Sequence, residues 1–212
     1  PESWADAADT PSIYNDVDPY IANVVRPILS QQGDKLPVSA FDPAGIVPLG
    51  TTACEKRGVA VMVPEWDASK CIQCTRCSVA CPHAAIRPIL ATPEELEGAP
   101  ESFVTIDANG KELKGLKFRM QVYAEDCLGC GSCANICPGK DGGALVMKPL
   151  ETQKADQVAN LDYATANISI KDDLVARDTL KGSQFCQPLL EFSGACAGCG
   201  ETPYVKLITQ LF

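Results

Sequence analysis

No run of about 18 or more apolar residues occurs in the chain, so nothing in the sequence is expected to span a membrane. The opening residues, Pro1-Glu2-Ser3-Trp4-Ala5, lack a basic patch followed by an apolar core. No secretory signal is therefore expected, and the location that follows is cytoplasmic. Methionine is missing from position 1, and the apolar stretch Tyr204 to Phe212 reads as an unfinished helix. A piece of a longer chain, or a processed terminus, is the expectation. Basic residues fall short of acidic ones, 18 against 27, for a net charge of −9. That balance lacks the basic footprint nucleic acid demands. It fits a solvated acidic surface, or steering toward a basic docking partner. Aromatic residues are only 6% of the 212, so large core side chains are few. The one histidine, His83, reads as ordinary packing beside the cysteines, with some scope to influence what they hold. Gly139-Lys140-Asp141-Gly142-Gly143 lacks the length and the Ser/Thr of a phosphate-binding loop, which leaves a flexible turn. Asn167-Ile168-Ser169 matches a glycosylation pattern that has no meaning in a cytosolic protein.

Cysteine, by contrast, is abundant. Twelve are present, and an even count is compatible with six disulfides in a secreted protein. The chain is far longer than a small disulfide scaffold, so spacing decides. Residues 71–82 and 127–138 are an internal repeat. The first copy is Cys71-Ile72-Gln73-Cys74-Thr75-Arg76-Cys77-Ser78-Val79-Ala80-Cys81-Pro82, and the second is Cys127-Leu128-Gly129-Cys130-Gly131-Ser132-Cys133-Ala134-Asn135-Ile136-Cys137-Pro138. The likeness continues, with Ile86-Arg87-Pro88 after the first copy and Met147-Lys148-Pro149 after the second.

Each copy is the C-x2-C-x2-C-x3-C-P run of bacterial ferredoxins, whose fourth cysteine ligates the other cluster. Three thiolates on a tight loop wrap three corners of one cube, and the fourth, on a short helix turned away by proline, reaches the partner. Cys71, Cys74, Cys77 and Cys137 are thus expected around one [4Fe–4S] cluster, and Cys127, Cys130, Cys133 and Cys81 around the other. Paired zinc knuckles also use C-x2-C, yet call for neither the third cysteine nor the C-P. Neither repeat can then complete a cluster alone, and the region should be poorly structured without cofactor. Ile72, Val79, Ala80, Leu128, Ala134 and Ile136 are expected to keep water away. Gly129 and Gly131, against Gln73 and Thr75 in the first copy, should let backbone N–H groups approach the second cluster and give the two clusters different potentials.

The fold class expected is α+β: a bacterial-ferredoxin-like two-cluster module with an insertion, flanked by fragments of neighbouring domains. Residues 1–53 read as the tail of a preceding domain or a linker, with one helical stretch, Pro19 to Gln32, broken or kinked at Pro27. The module is placed at 54–165. Gly58 to Val63 reads as a strand stopped by Pro64. The insertion of about 40 residues between the copies holds a helix start at Thr92-Pro93-Glu94-Glu95. It also holds a hairpin from Phe103–Ile106 through Asn109-Gly110 to Leu116–Val122. Residues 151–192 read as polar and irregular, with 166–192 taken as the linker, and 193–212 open something new.

That last segment holds Cys196-Ala197-Gly198-Cys199, a lone C-x2-C that fits zinc, a redox dithiol or half a cluster site. Half of a third [4Fe–4S] site fits best, with the remaining ligands beyond Phe212. Cys54 and Cys186 are isolated and read as buried small hydrophobes or spare ligands. Trp4 and Trp66 are expected to pack.

Several segments resemble pyruvate:ferredoxin oxidoreductase, the family that oxidatively decarboxylates pyruvate with coenzyme A. They are Gly33 to Phe41, Glu55-Lys56-Arg57-Gly58-Val59-Ala60, Val63-Pro64-Glu65-Trp66, and Cys71 through Pro88; Gly194 to Tyr204 resembles the opening of that family's thiamine-diphosphate domain. The resemblance covers nearly the whole chain and implies an electron relay. It implies three [4Fe–4S] clusters in the intact protein, two complete in this chain, with Cys196 and Cys199 on the third. It further implies thiamine diphosphate with Mg2+, ferredoxin or flavodoxin as acceptor, pyruvate and coenzyme A bound outside these residues, and a homodimer. Glu201 would lie near the thiamine cofactor, or else cap the helix starting at Pro203. A free-standing two-cluster carrier and the iron–sulfur part of another 2-oxoacid oxidoreductase are the alternatives. No catalytic residue is expected in this stretch.

Overall fold

A computed structural model describes residues 18–212, and the chain divides into two compact units, Pro1–Lys56 and Arg57–Phe212. In the first unit the chain turns helical at Pro19. It passes through one wide π-turn, Ile21–Val25, and continues as α1, Arg26–Leu29. The irregularity expected at Pro27 therefore sits one turn before it. Proline has no N–H to give to the preceding turn, which widens while the helix continues. Ile21 and Val24 are buried, and single 3-10 turns follow at Gly33–Lys35, Val38–Ala40 and Thr51–Cys54.

The second unit is mixed helix and sheet. Its strands are β1 (Met62–Trp66), β2 (Ile86–Ala91), β3 (Ile106–Asp107), β4 (Lys117–Val122) and β5 (Leu145–Pro149). Its helices are α2 (Arg76–Ala80), α3 (Ser132–Asn135), α4 (Leu150–Asn167), α5 (Leu180–Ser183) and α6 (Thr202–Leu211). β1 pairs antiparallel with β5, from Met62 opposite Pro149 to Trp66 opposite Leu145. β2 pairs antiparallel with β4, from Ile86 opposite Val122 to Ala91 opposite Lys117, and β3 edges β4.

This topology interlocks the repeats. The strand before the first cysteine run pairs with the strand after the second, and the strand before the second pairs with the strand after the first. Neither half can complete a sheet alone. Pro64 does not end β1 but lies inside it, and Pro88 lies inside β2. Both are edge strands, where a missing N–H can face away from the ladder. The expected hairpin is present, with its first strand reduced to Ile106–Asp107.

The core gathers Ile86 and Leu90 from β2 with Phe118, Met120 and Val122 from β4, joined by Leu113, Leu145, Phe185, Cys77 and Cys133. Trp66 packs edge-on to Phe118 at 6.3 Å. The other side of β4 is also covered. Gln121 Nε2 donates to the Gln157 carbonyl at 3.1 Å, and Arg119 donates to Gln121 Oε1 at 2.8 Å and to the Val104 carbonyl at 3.0 Å. Residues 151–167, expected to be irregular, are therefore most of an 18-residue helix. Its buried residues are Gln157, Asn160 and Ala164, so no apolar stripe betrays it.

The helix start in the insertion carries a capping box. Thr92 N–H donates to Glu95 Oε2 at 2.8 Å, and Glu95 N–H donates to Thr92 Oγ1 at 3.2 Å. Only one 3-10 turn, Glu94–Leu96, results. Glu95 also accepts from Ser169 Oγ at 2.7 Å and from Lys171 Nζ at 2.6 Å, tying the insertion to the chain beyond α4. Desolvation pushes its carboxyl up, but the Lys171 ammonium and the Thr92 and Ser169 donors outweigh it and hold the pKa at about 2. A lowered carboxylate pKa contributes stability that is present above the unfolded value of 4.5 and lost as pH falls through the folded one. Glu95→Gln should therefore cost about 1–3 kcal/mol in anaerobic denaturant titrations of the holoprotein, with the same loss at every pH from about 5 to 8. A loss that changed across that window would contradict the assignment.

Candidate metal centres

Each cysteine run coils through two left-handed residues before its short helix. In the first these are Gln73 and Thr75, both at φ 57°; in the second, Gly129 at 68° and Gly131 at 74°. The sites match one for one across the repeat. Where the first run has side chains, they offset the strain. Gln73 is buried and clamps the insertion hairpin, its Nε2 donating to the Asp107 carbonyl at 2.7 Å and its Oε1 accepting from Asn109 N–H at 2.8 Å. Gly129 meets a second demand, since a Cβ there would stand 2.8 Å from the Met62 carbonyl oxygen. The glycines are not what admits the N–H groups. Gln73 N–H donates to Cys71 Sγ at 3.4 Å, much as Gly129 N–H donates to Cys127 Sγ at 3.3 Å.

Two cavities lie in the second unit beside these loops, and both draw on both runs. Cys71, Cys74, Cys77 and Cys137 line the first, together with Trp66, Met120 and Leu145. Cys81, Cys127, Cys130 and Cys133 line the second, with Pro64, Ile86, Met147 and His83. The fourth cysteine of each run thus borders the cavity of the other run. A further matching pair of N–H bonds serves these two, from Ala85 to Cys81 Sγ and from Ala144 to Cys137 Sγ, each at 3.2 Å. Ile72 and Leu128 border the cavities, though Ile72 is as exposed as Ile136, which borders neither.

Burial pushes the thiols up, with neighbouring sulfurs adding to it: Cys127 to about 11, Cys133 to about 12, and Cys77 higher still. An iron-bearing group must therefore displace protons to bind. The thiols ring their cavities instead of converging on a point. Among the described residues no group of three or more His, Cys, Asp or Glu is arranged to hold a single metal ion. A four-iron cube places one thiolate at each corner, which suits a ring of four. The indole Nε1 of Trp66, a wall residue of the first cavity, is buried without a hydrogen-bond partner. Burial pushes the adjacent Cys71 thiol up, and the indole N–H, pointing toward that sulfur without a full hydrogen bond, partly offsets it.

The third loop is more open. Cys196 is exposed and Cys199 partly so, and Cys199 N–H donates to the Cys196 carbonyl at 3.0 Å. The N–H groups of Thr202 and Glu201, opening α6, lower the Cys199 pKa. Gly198 brings this loop against Cys130, a Cβ there standing 3.5 Å from the Cys130 Cβ. Glu201 is exposed at the N-cap position of α6 and its side chain makes no capping bond. Cys186 is buried in the wall of a separate cavity beside Arg87 and Leu161, away from both thiol rings. Cys54 belongs to the other unit.

Lysine 206 carried no signal in the sequence. It is 1% exposed, and its Nζ donates to the carbonyls of Ser78, Val79 (3.2 Å) and Cys81 (3.0 Å), closing the end of α2. Burial pulls its pKa down to about 8. Three carbonyls around three N–H groups satisfy the ammonium form. A lysine amid Tyr204, Val205, Leu207 and Ile208 reads as a helix's polar side, yet here it is the buried one.

Residues 70–140 match a family described as a 4Fe-4S double cluster binding domain, so the centre of the chain is an iron–sulfur cluster domain. Residues 6–60 match a second family, named EKR and described as a domain of unknown function. Over its whole length the chain is 58% identical to pyruvate:ferredoxin oxidoreductase of Moorella thermoacetica and 48% identical to pyruvate-flavodoxin oxidoreductase of Enterobacter agglomerans. It is 47% identical to the mitochondrial pyruvate dehydrogenase [NADP(+)] of Euglena gracilis. By sequence the chain matches, over its whole length, a segment of pyruvate:ferredoxin and pyruvate-flavodoxin oxidoreductases. It spans 18% of the length of the first two relatives and 12% of the third.

The two glycines of the second loop should respond differently to a methyl group. Gly129→Ala incurs both the left-handed strain and the Met62 contact, and should cost about 1–3 kcal/mol with poorer iron retention. Gly131→Ala meets nothing within 4 Å and should lose only the smaller backbone part. Denaturant midpoints and iron content of the two holoproteins, compared side by side, check this ordering; equal losses would contradict it.

Proposed function

We propose that this chain is the electron relay of a pyruvate:ferredoxin oxidoreductase, with one [4Fe–4S] cluster held by Cys71, Cys74, Cys77 and Cys137 and another by Cys127, Cys130, Cys133 and Cys81. The observation that carries this reading is the crossed lining of the two cavities, four thiols each, with a fourth thiol borrowed from the opposite run. Such clusters, once bound, take up and release one electron at a time at low potential. The chain's own contribution is to fix eight thiolates, aim N–H groups at four of the sulfurs, and wall the sites with Trp66, Ile72, Leu128 and Met120.

Cys196 and Cys199 supply two ligands of a third cluster whose other ligands lie outside these residues. Contact of Gly198 with Cys130 favours a hand-over from that site to the second cavity, then to the first, then to ferredoxin or flavodoxin. Thiamine diphosphate with Mg2+, pyruvate and coenzyme A occupy other parts of the intact protein, a cytoplasmic homodimer in this reading. The exposed, uncapped carboxylate of Glu201 remains available to the thiamine cofactor. The module with its flanks is then a bacterial-ferredoxin-like fold carrying an insertion between its two halves.

Anaerobic iron, sulfide and zinc analysis of the 212-residue chain tests the reading. About eight irons with matching sulfide are expected, from two four-iron clusters. About twelve would place the whole third site inside the chain. Zinc without sulfide, persisting after reconstitution, would contradict the relay.

A further inference from the structure

His83 is 2% exposed and stands in the wall of the second cavity, two residues beyond Cys81. Its side chain faces away from the thiols on one side and meets the third loop there. Nδ1 lies 3.2 Å from the Ser193 carbonyl oxygen and 3.4 Å from Ser193 Oγ, and Nε2 lies 3.3 Å from the Cys196 carbonyl oxygen. From the first cysteine run it is His83 that reaches residues 193–199, beside the Glu201 N–H that donates to Cys199 Sγ at 3.5 Å.

The backbone around it is committed to the same neighbour. The Cys81 carbonyl accepts from Lys206, the Pro82 carbonyl from Thr202 Oγ1 at 2.7 Å, and the His83 carbonyl from Phe192 N–H at 3.0 Å. Three consecutive residues, starting at the last cysteine of the first run, thus form one strip on which residues 192–206 are fastened. Lys206 and Thr202 hold α6. His83 holds the loop that carries Cys196 and Cys199.

We infer that His83 is a positioning residue for electron transfer: it fixes the Cys196–Cys199 loop against the second cavity and supplies the hydrogen-bonded link between the two sites. The inference rests on the proposed third cluster at Cys196 and Cys199. One electron leaves that site, which is oxidised, and arrives at the Cys81, Cys127, Cys130 and Cys133 site, which is reduced. No bond forms or breaks, and no proton is transferred. The protein's part is geometric, because transfer between two centres depends steeply on the separation and on the bonded path, and an exposed two-cysteine loop without its anchor would sample many separations. Packing alone would be served by an apolar side chain of similar size, which would offer no N–H to either carbonyl and no ring nitrogen to accept from Ser193 Oγ.

The test uses the intact anaerobic holoenzyme with His83→Leu and His83→Gln. Three quantities are read: iron and sulfide per chain, hydrogen-exchange protection of the 193–200 peptide, and electron arrival at the two-cluster module by freeze-quench EPR, with the spin coupling between the third site and the second cavity. His83→Leu should keep its iron, lose protection in 193–200, weaken the coupling and slow arrival at least tenfold. His83→Gln, whose amide can still donate to one carbonyl, should recover a large part of each. Unchanged protection and rate in His83→Leu would overturn the inference, as would a slower rate with protection and coupling intact. If His83→Leu loses iron, His83→Gln decides, and values equal to wild type overturn the proposal. A wild-type enzyme found to hold only eight irons would refute the third site, and exchange at 193–200 would still show whether His83 anchors the loop.

Discussion

Everything in the second unit depends on one constraint: each ring of four thiols takes three from one run and one from the other. A short loop with two left-handed residues can turn three cysteines inward, but the helix that follows carries the fourth away from them. The fourth can face a common space only if a second run lies across it. The strand pairing obeys the same exchange, β1 with β5 and β2 with β4. Sheet hydrogen bonds and thiol rings therefore form together or not at all, and an iron–sulfur group bound in either ring holds both repeats.

Around that exchange the chain adds fastenings that no repeat requires. The insertion is not a passive loop, since Gln73 on the first loop grips its hairpin and Glu95 grips the segment beyond α4. Residues 192–206 lie on the strip from Cys81 to His83. This places the third cysteine pair beside the second ring and leaves the first ring on the other side of the exchange. The apolar residues Tyr204, Ile208 and Phe212 remain exposed on α6, whose buried side is Lys206 and Gln210.

The cysteine runs, their repeat and the crossing were legible because the spacing of C-x2-C-x2-C-x3-C-P is itself the geometry. The helix start at Thr92 was legible as well, though not its capping box, nor that it would close only one turn. Other features were hidden for physical reasons. α4 buries Gln157 and Asn160 under β4, so the periodic apolar signal that reveals most helices is absent. α6 buries a lysine against three carbonyls, the reverse of its apparent amphipathicity. Pro64 reads as a strand breaker only when a strand is assumed to be flanked on both sides. His83 was visible as the sole histidine, but its partners lie more than a hundred residues away, beyond the reach of local spacing.

Crossed ligation is the central claim, and two double variants test it directly by iron and sulfide content after anaerobic reconstitution. Cys71→Ala with Cys137→Ala removes two thiols from one ring and should leave the other intact, with about four irons. Cys127→Ala with Cys137→Ala removes one thiol from each ring and should leave neither cluster with four cysteines, so retained iron should fall well below four. The opposite ordering, with four irons kept by the second pair and lost by the first, would show that each run closes its own cluster and would contradict the account.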